Sequence, residues 1–130
     1  MKTNLCSLLR STTPPPSSSF VLSVAAERDR ETIHRIRHEV YACELGQHHV
    51  NPAGRLRDAL DDWNFYLVAK LGEEIGGFIS ITPPGRPSYS IDKYFARETL
   101  PFAFDDQLYE VRLLTVLKPH RGRELATLLM

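Results

Sequence analysis

The sequence predicts a mixed α/β domain in which a central, mostly antiparallel sheet is flanked by helices. Three observations predict it. Ile33, Ile36, Val40 and Tyr41 form one stripe at helical spacing after a short apolar run. Two further apolar runs, 65–70 and 75–81, flank the turn Leu71-Gly72-Glu73-Glu74, a spacing that closes an antiparallel hairpin. A long apolar run over 108–117 then passes through a basic turn into a last helical segment.

The chain has 130 residues, enough for one domain with a real core. Sixteen basic residues balance sixteen acidic ones, which argues against a broad nucleic-acid surface. An apolar content of 42% fits a soluble globular protein, and no stretch has the length to span a bilayer. Cys6 and Cys43 make no disulfide framework, so a reducing, cytoplasmic setting is expected.

In chain order, residues 1–19 read as a disordered leader, because Pro14-Pro15-Pro16 lies inside a Ser/Thr-rich run that cannot bury apolar surface. Lys2 and Arg10 precede the first acid, Glu27, as in a transit peptide, but the proline run disfavours the amphipathic helix such a peptide needs. The domain occupies residues 20–130. Residues 20–25 form a first strand. A helix follows, with Asp29 as N-cap and Gly46 as its stop. Periodicity is lost over 47–62, where Asn51-Pro52-Ala53-Gly54 marks a turn and a little helix fits around 57–61. Gly76-Gly77 inside the second hairpin strand predicts a bulge or a close backbone approach. A proline-rich turn over 82–87 ends pairing, 90–99 reads as a short helix, and helix resumes from Gly122.

The junction after the last strand is the richest in chemistry. Lys118-Pro119-His120-Arg121-Gly122-Arg123 is a basic turn that opens a helix. Unpaired N–H groups at a helix start, with the positive end of its dipole, form a site for an anion such as a phosphate. Arg121 and Arg123 would add mobile positive charge.

The element order and this junction resemble the Gcn5-related N-acetyltransferase superfamily. Its signature, Gln/Arg-x-x-Gly-x-Gly/Ala after a strand, is similar to Arg121-Gly122-Arg123-Glu124-Leu125-Ala126, with Arg121 and Ala126 at the two ends. Glu124 stands where the superfamily usually has Gly, so a carboxylate lies beside the expected pyrophosphate position. The segment 66–79, an apolar strand, a Gly/Glu turn and Ile75-Gly76-Gly77-Phe78, is also similar to the superfamily's hairpin. A narrower likeness is to acyl-homoserine-lactone synthases and N-acyl amino acid synthases. It rests on Arg37-His38-Glu39-Val40-Tyr41, on Asp58, Asp61 and Asp62, and on Glu110-Val111-Arg112, which is one residue shorter than that branch's Glu-x-x-Arg.

The resemblance implies transfer of an acyl group, acetyl or longer, from acyl-CoA to a primary amine of a small molecule or amino acid, with no metal. It implies a donor site at Leu114, Thr115 and Val116, whose backbone would pair with the pantetheine arm, and at Arg121, Gly122, Arg123, Glu124, Leu125 and Ala126 around the pyrophosphate. It places Arg37 and Tyr41 at the substrate, and Trp63 reads either as a pocket wall or as core and rim packing. Against the superfamily's length the chain stops soon after the last helix begins. It therefore reads as an N-terminal portion whose exposed last strand could pair two copies, or as a non-catalytic binding or regulatory module.

Glu110 is the leading candidate for the base that takes the amine proton. Two residues apart on a strand, Glu110 and Arg112 should share a side and could pair, either as a clamp on an ionic substrate or as an ordinary surface ion pair. His34 and His38 lie four apart, but Glu39 falls after the second His, so the pattern of a zinc hydrolase is not met. Cys43 reads as a small packing residue or as a nucleophile beside a histidine.

Overall fold

In the computed structural model, which describes residues 19–122 and 124–130, a four-stranded sheet organises the chain. Its strands are β1 (Val21–Val24), β2 (Phe65–Leu71), β3 (Glu74–Thr82) and β4 (Glu110–Val116), in spatial order β1-β2-β3-β4. Every neighbouring pair is antiparallel. Helix α1 (Glu27–Arg37) runs directly into a π-helical segment (His38–Glu44), and α2 (Leu125–Leu129) follows β4. The mixed α/β class with an antiparallel sheet is as the sequence predicts. The expected leader lies outside the described residues, apart from Ser19. Among the described residues no helix is long and apolar enough to cross a membrane.

The start of α1 differs from expectation. Asp29 lies in the first turn rather than at the boundary, and its Oδ2 accepts a hydrogen bond from the Ala26 N–H at 2.9 Å. Its other oxygen meets Lys70 Nζ at 2.8 Å, which pins the helix start to β2. The apolar stripe then buries as predicted: Ile33, Ile36 and Val40 pack on Tyr66, Val68, Ile75 and Phe78. Burying each such side chain is worth about 1.5–3 kcal/mol.

The π-helical end of this helix was not foreseen. The Leu45 N–H bonds to the Val40 carbonyl, five residues back, at 2.8 Å. The wider turn keeps Val40 in the core while Tyr41 reaches β4, where its hydroxyl lies 2.9 Å from Thr115 Oγ1. Gly46 follows with φ +65°, the left-handed conformation that ends a helix.

Gly76-Gly77 provides both predicted features. Ala69 pairs with Gly77 and Lys70 with Ile75, so Gly76 is the extra residue of a bulge. Ile75 and Phe78, three apart, consequently join the same core under α1. A Cβ on Gly76 would enter the Phe20 ring, and one on Gly77 would lie 2.7 Å from the Thr115 carbonyl oxygen. A second irregularity, in β4, left no such trace. Phe78 pairs with Thr115 but Ser80 with Arg112, and Leu113 takes φ 57° in between. Arg112 and Thr115 can thereby both reach groups on the α1 side of the sheet.

The other face carries Ala69 and Ile79, covered by Leu125 and Leu129 of α2. That helix begins at Leu125, not Gly122, because Gly122 (φ +80°) and Glu124 (φ 60°) are both left-handed and cannot continue a right-handed helix. The helix expected over 90–99 is instead two separate 3₁₀ turns, Ser90–Lys93 and Arg97–Thr99. Side chains claim the local groups: Asp92 takes the Tyr89 N–H and pairs with Arg97, and Glu110 takes the Ser90 and Ile91 N–H groups.

Candidate functional site

The π-helical segment and β4 lie side by side, and a groove of about 300 Å³ runs between them. Tyr41, Glu44 and Leu45 form one wall, Leu114, Thr115 and Val116 the other, and Arg121 and Ala126 close one end. Since β4 is the last strand of the sheet among the described residues, its outer edge presents backbone N–H and C=O groups to which no described strand pairs. Thr115 donates from Oγ1 to the Leu113 carbonyl at 2.9 Å. The Tyr41 hydroxyl is then the donor to Thr115 Oγ1, which fixes the phenol at the groove wall.

Of the residues expected around a donor, Leu114, Thr115, Val116, Arg121 and Ala126 line this groove. Leu125 does not, being buried under the sheet at 2% exposure. Gly122 and Glu124 are exposed turn residues beside the groove's end, and Arg123 is outside the described residues. The mobile charge expected of Arg121 is not found. Its Nε donates to the Val116 carbonyl at 2.9 Å, and Nη1 and Nη2 meet the two carboxylate oxygens of Glu44 at 2.5 and 3.2 Å. Hydrogen bonding to Arg121 holds the Glu44 carboxyl below its usual range. The helix that follows starts at Leu125, after a left-handed Glu124.

Apart from the groove lining, a buried charged cluster is drawn from four segments. Arg37, at 3% exposure, donates from Nη1 to Asp61 Oδ2 at 2.8 Å and to the Tyr66 hydroxyl at 2.9 Å. Its Nη2 reaches Asp58 Oδ2 at 3.2 Å. Arg112 grips both oxygens of Asp58, each at 2.8 Å. The Tyr66 hydroxyl also hydrogen-bonds Asp61 Oδ1. Asp58 caps the 3₁₀ turn Ala59–Asp62 by accepting from the Leu60 N–H at 3.0 Å, and Asp61 returns to the Asp58 N–H at 2.7 Å. Arg30 closes the outer side on the Asp61 carbonyl at 2.6 Å and Asn64 Oδ1 at 2.9 Å.

Burial raises the Asp61 pKa, but the Tyr66 hydrogen bond, the Asp58 N–H and Arg37 outweigh it, and the carboxyl lies far below its ordinary value. Asp58 is lowered in the same way, burial being overcome by Arg112 and Arg37. The Tyr66 hydroxyl is pushed up, first by burial. The Arg37 and Arg112 Nε atoms are buried without partners, but both guanidinium forks are paired, and a charged network of this kind fixes geometry and does not supply a proton acceptor.

Arg37, expected at the substrate, is buried and paired with Asp61, Tyr66 and Asp58, and it does not line the groove. Trp63 is half-buried next to the 3₁₀ turn, and its Nε1 is buried without a partner. It is not part of the groove wall. Glu110 and Arg112 do lie on one side of β4, as their spacing predicts, but they do not pair. Glu110 accepts from the Ser90 N–H at 2.6 Å and the Ile91 N–H at 2.9 Å, while Arg112 is claimed by Asp58. Glu110 also borders an apolar cavity of about 210 Å³ with Tyr89, Phe102, Phe104 and Tyr109 around it.

His34 and His38 diverge. His34 Nε2 lies 3.6 Å from Asp61 Oδ1, whereas His38 Nε2 accepts from the Asn51 N–H at 3.0 Å and Nδ1 faces Cys43 Sγ at 3.7 Å. Among the described residues no three His, Cys, Asp or Glu side chains are arranged to hold a metal ion. Sequence reasoning missed Glu44; its position three residues after Tyr41, on the same face of the helix, was the available signal. No family model matches this chain, and no curated protein matches it.

Proposed function

We propose that this chain is an acyl-CoA-dependent N-acyltransferase of the Gcn5-related N-acetyltransferase kind, acting on a primary amine of a small molecule or amino acid. One observation carries the reading. Residues singled out in two distant segments, Tyr41 on the first helix and Leu114, Thr115, Val116, Arg121 and Ala126 around the last strand, come together as the walls of one groove. An extended pantetheine arm would add to the open edge of β4 as a further strand does. A β4 backbone N–H would polarise the thioester oxygen, and the groove would hold donor and amine in line. The nitrogen attacks the thioester carbon, the carbon–sulfur bond breaks with its electron pair leaving on sulfur as the CoA thiolate, and the amine proton passes to a base. Glu110 lines the neighbouring aromatic cavity and not the groove, so as the base it would act through water or on an amine that enters from that side, each of its oxygens keeping a lone pair beside the N–H it accepts.

The same geometry favours a second reading, a module with this fold that binds a ligand without turning it over, because Glu110 is tied to two backbone N–H groups and Arg121 to Glu44. A thermal-shift titration of the full chain with CoA and acetyl-CoA tests donor binding, since a ligand that binds only the native state raises its melting temperature. A rise in melting temperature is expected, and its absence would sink the donor site. Release of free thiol from acetyl-CoA on adding a panel of amino acids and simple amines separates the enzyme from the binding module.

A further inference from the structure

We propose that Glu44 is the resident counter-ion of the groove, and that a phosphate-bearing ligand enters by replacing the Glu44 carboxylate on Arg121. The inference rests on the reading of the groove as a donor site and adds what controls entry to it.

Glu44 is the last residue of the π-helical segment, and Arg121 comes from the turn after β4, 77 residues later. The two side chains meet at the groove's end, carboxylate against the open fork of the guanidinium, at 2.5 and 3.2 Å. The third contact, Nε to the Val116 carbonyl at 2.9 Å, anchors Arg121 to the strand and does not depend on Glu44. Removing Glu44 would therefore leave the guanidinium in place with its fork facing the groove. Two oxygens of a phosphate fit that fork as a carboxylate does, so the exchange replaces one bidentate, charge-assisted pair by another.

Both partners are accessible, with side chains 41% and 34% exposed. A pair in that setting is worth little, and a released Glu44 is rehydrated at once. Lys118 also favours the charged form of Glu44, so positive charge stays at this end when the carboxylate swings away. The contrast with Arg37 is direct: its acidic partners are held by backbone N–H groups as well. With Glu44 in place the Arg121 fork is occupied, and an anion cannot take it until it displaces that side chain. Glu44 thus sets a threshold that selects ligands able to take the fork with two oxygens.

The test is calorimetric titration of the wild-type chain, Glu44→Gln and Glu44→Ala, each with CoA and separately with inorganic pyrophosphate, repeated in an Arg121→Gln background. Both Glu44 variants should bind both ligands about three- to tenfold more tightly than wild type. The gain should vanish when Arg121 is replaced. Measurable CoA binding that is unchanged or weakened in both Glu44 variants would overturn the inference and leave the donor site standing. A gain for CoA without one for pyrophosphate would overturn it too, because the phosphate would not be what Glu44 excludes. Should no variant bind CoA, the donor reading fails by itself, and the pyrophosphate arm still decides whether Glu44 guards Arg121.

Discussion

Arg37 and Arg121 are both arginines held by carboxylates at hydrogen-bond distance, yet they occupy opposite settings. Arg37 is 3% exposed, and its acidic partners are themselves fixed by the backbone of a 3₁₀ turn. Arg121 lines the end of a groove, with a partner on an exposed helix end. In the buried case both charges have left water, so losing one partner strands the other in a low-dielectric interior. In the exposed case solvent can stand in for either partner. The same pair of functional groups is therefore architecture in one place and an exchangeable contact in the other.

The most disruptive way to break this contrast is Arg37→Ala. It takes the 2.8 Å Arg37 contact from Asp61, whose side chain is 0% exposed, leaves it the longer Arg30 pair at 3.8 Å, and should cost about 3–5 kcal/mol in urea unfolding. Acid should act on the same cluster. The Asp58 and Asp61 carboxyls lie below their unfolded value of 3.8, so their contribution is complete above that value and is lost as pH falls beneath it toward the folded values. Unfolding monitored against pH should show this acid limb in the wild type and a shallower one in Arg37→Ala. Tyr66→Phe is gentler: it removes the hydroxyl that bridges Arg37 and Asp61 and should cost about 1–3 kcal/mol. At the other extreme, Arg121→Gln should change stability by less than about 1 kcal/mol while weakening CoA binding. A large stability loss there would erase the distinction between the two arginines.

The sequence was most legible where pattern and chemistry agreed. The Ile33, Ile36 and Val40 stripe, the hairpin around Gly72 and the glycine bulge all follow from local spacing, and each appears. Local spacing could not reveal the π-helical turn or the Leu113 irregularity, because each adds a residue without changing the apolar pattern. Those two features aim Tyr41 and Glu44 at the groove and put Arg112 and Thr115 on the same side as Asp58 and Tyr41. The partners of Glu110 were equally hidden, since the Ser90 and Ile91 N–H groups lie 20 and 19 residues away along the chain. The expected helix start at Gly122 failed for a backbone reason, two left-handed residues that residue type alone does not announce.

The groove between the π-helical end and β4 is the proposed place where a ligand lies. Backbone amide shifts followed by two-dimensional NMR during a CoA titration test it most directly. The predicted result is saturable movement centred on Tyr41, Leu114, Thr115, Val116, Arg121 and Ala126, with the Arg37 cluster changing little. Saturable movement confined to the aromatic cavity beside Glu110, or none at all, would contradict it.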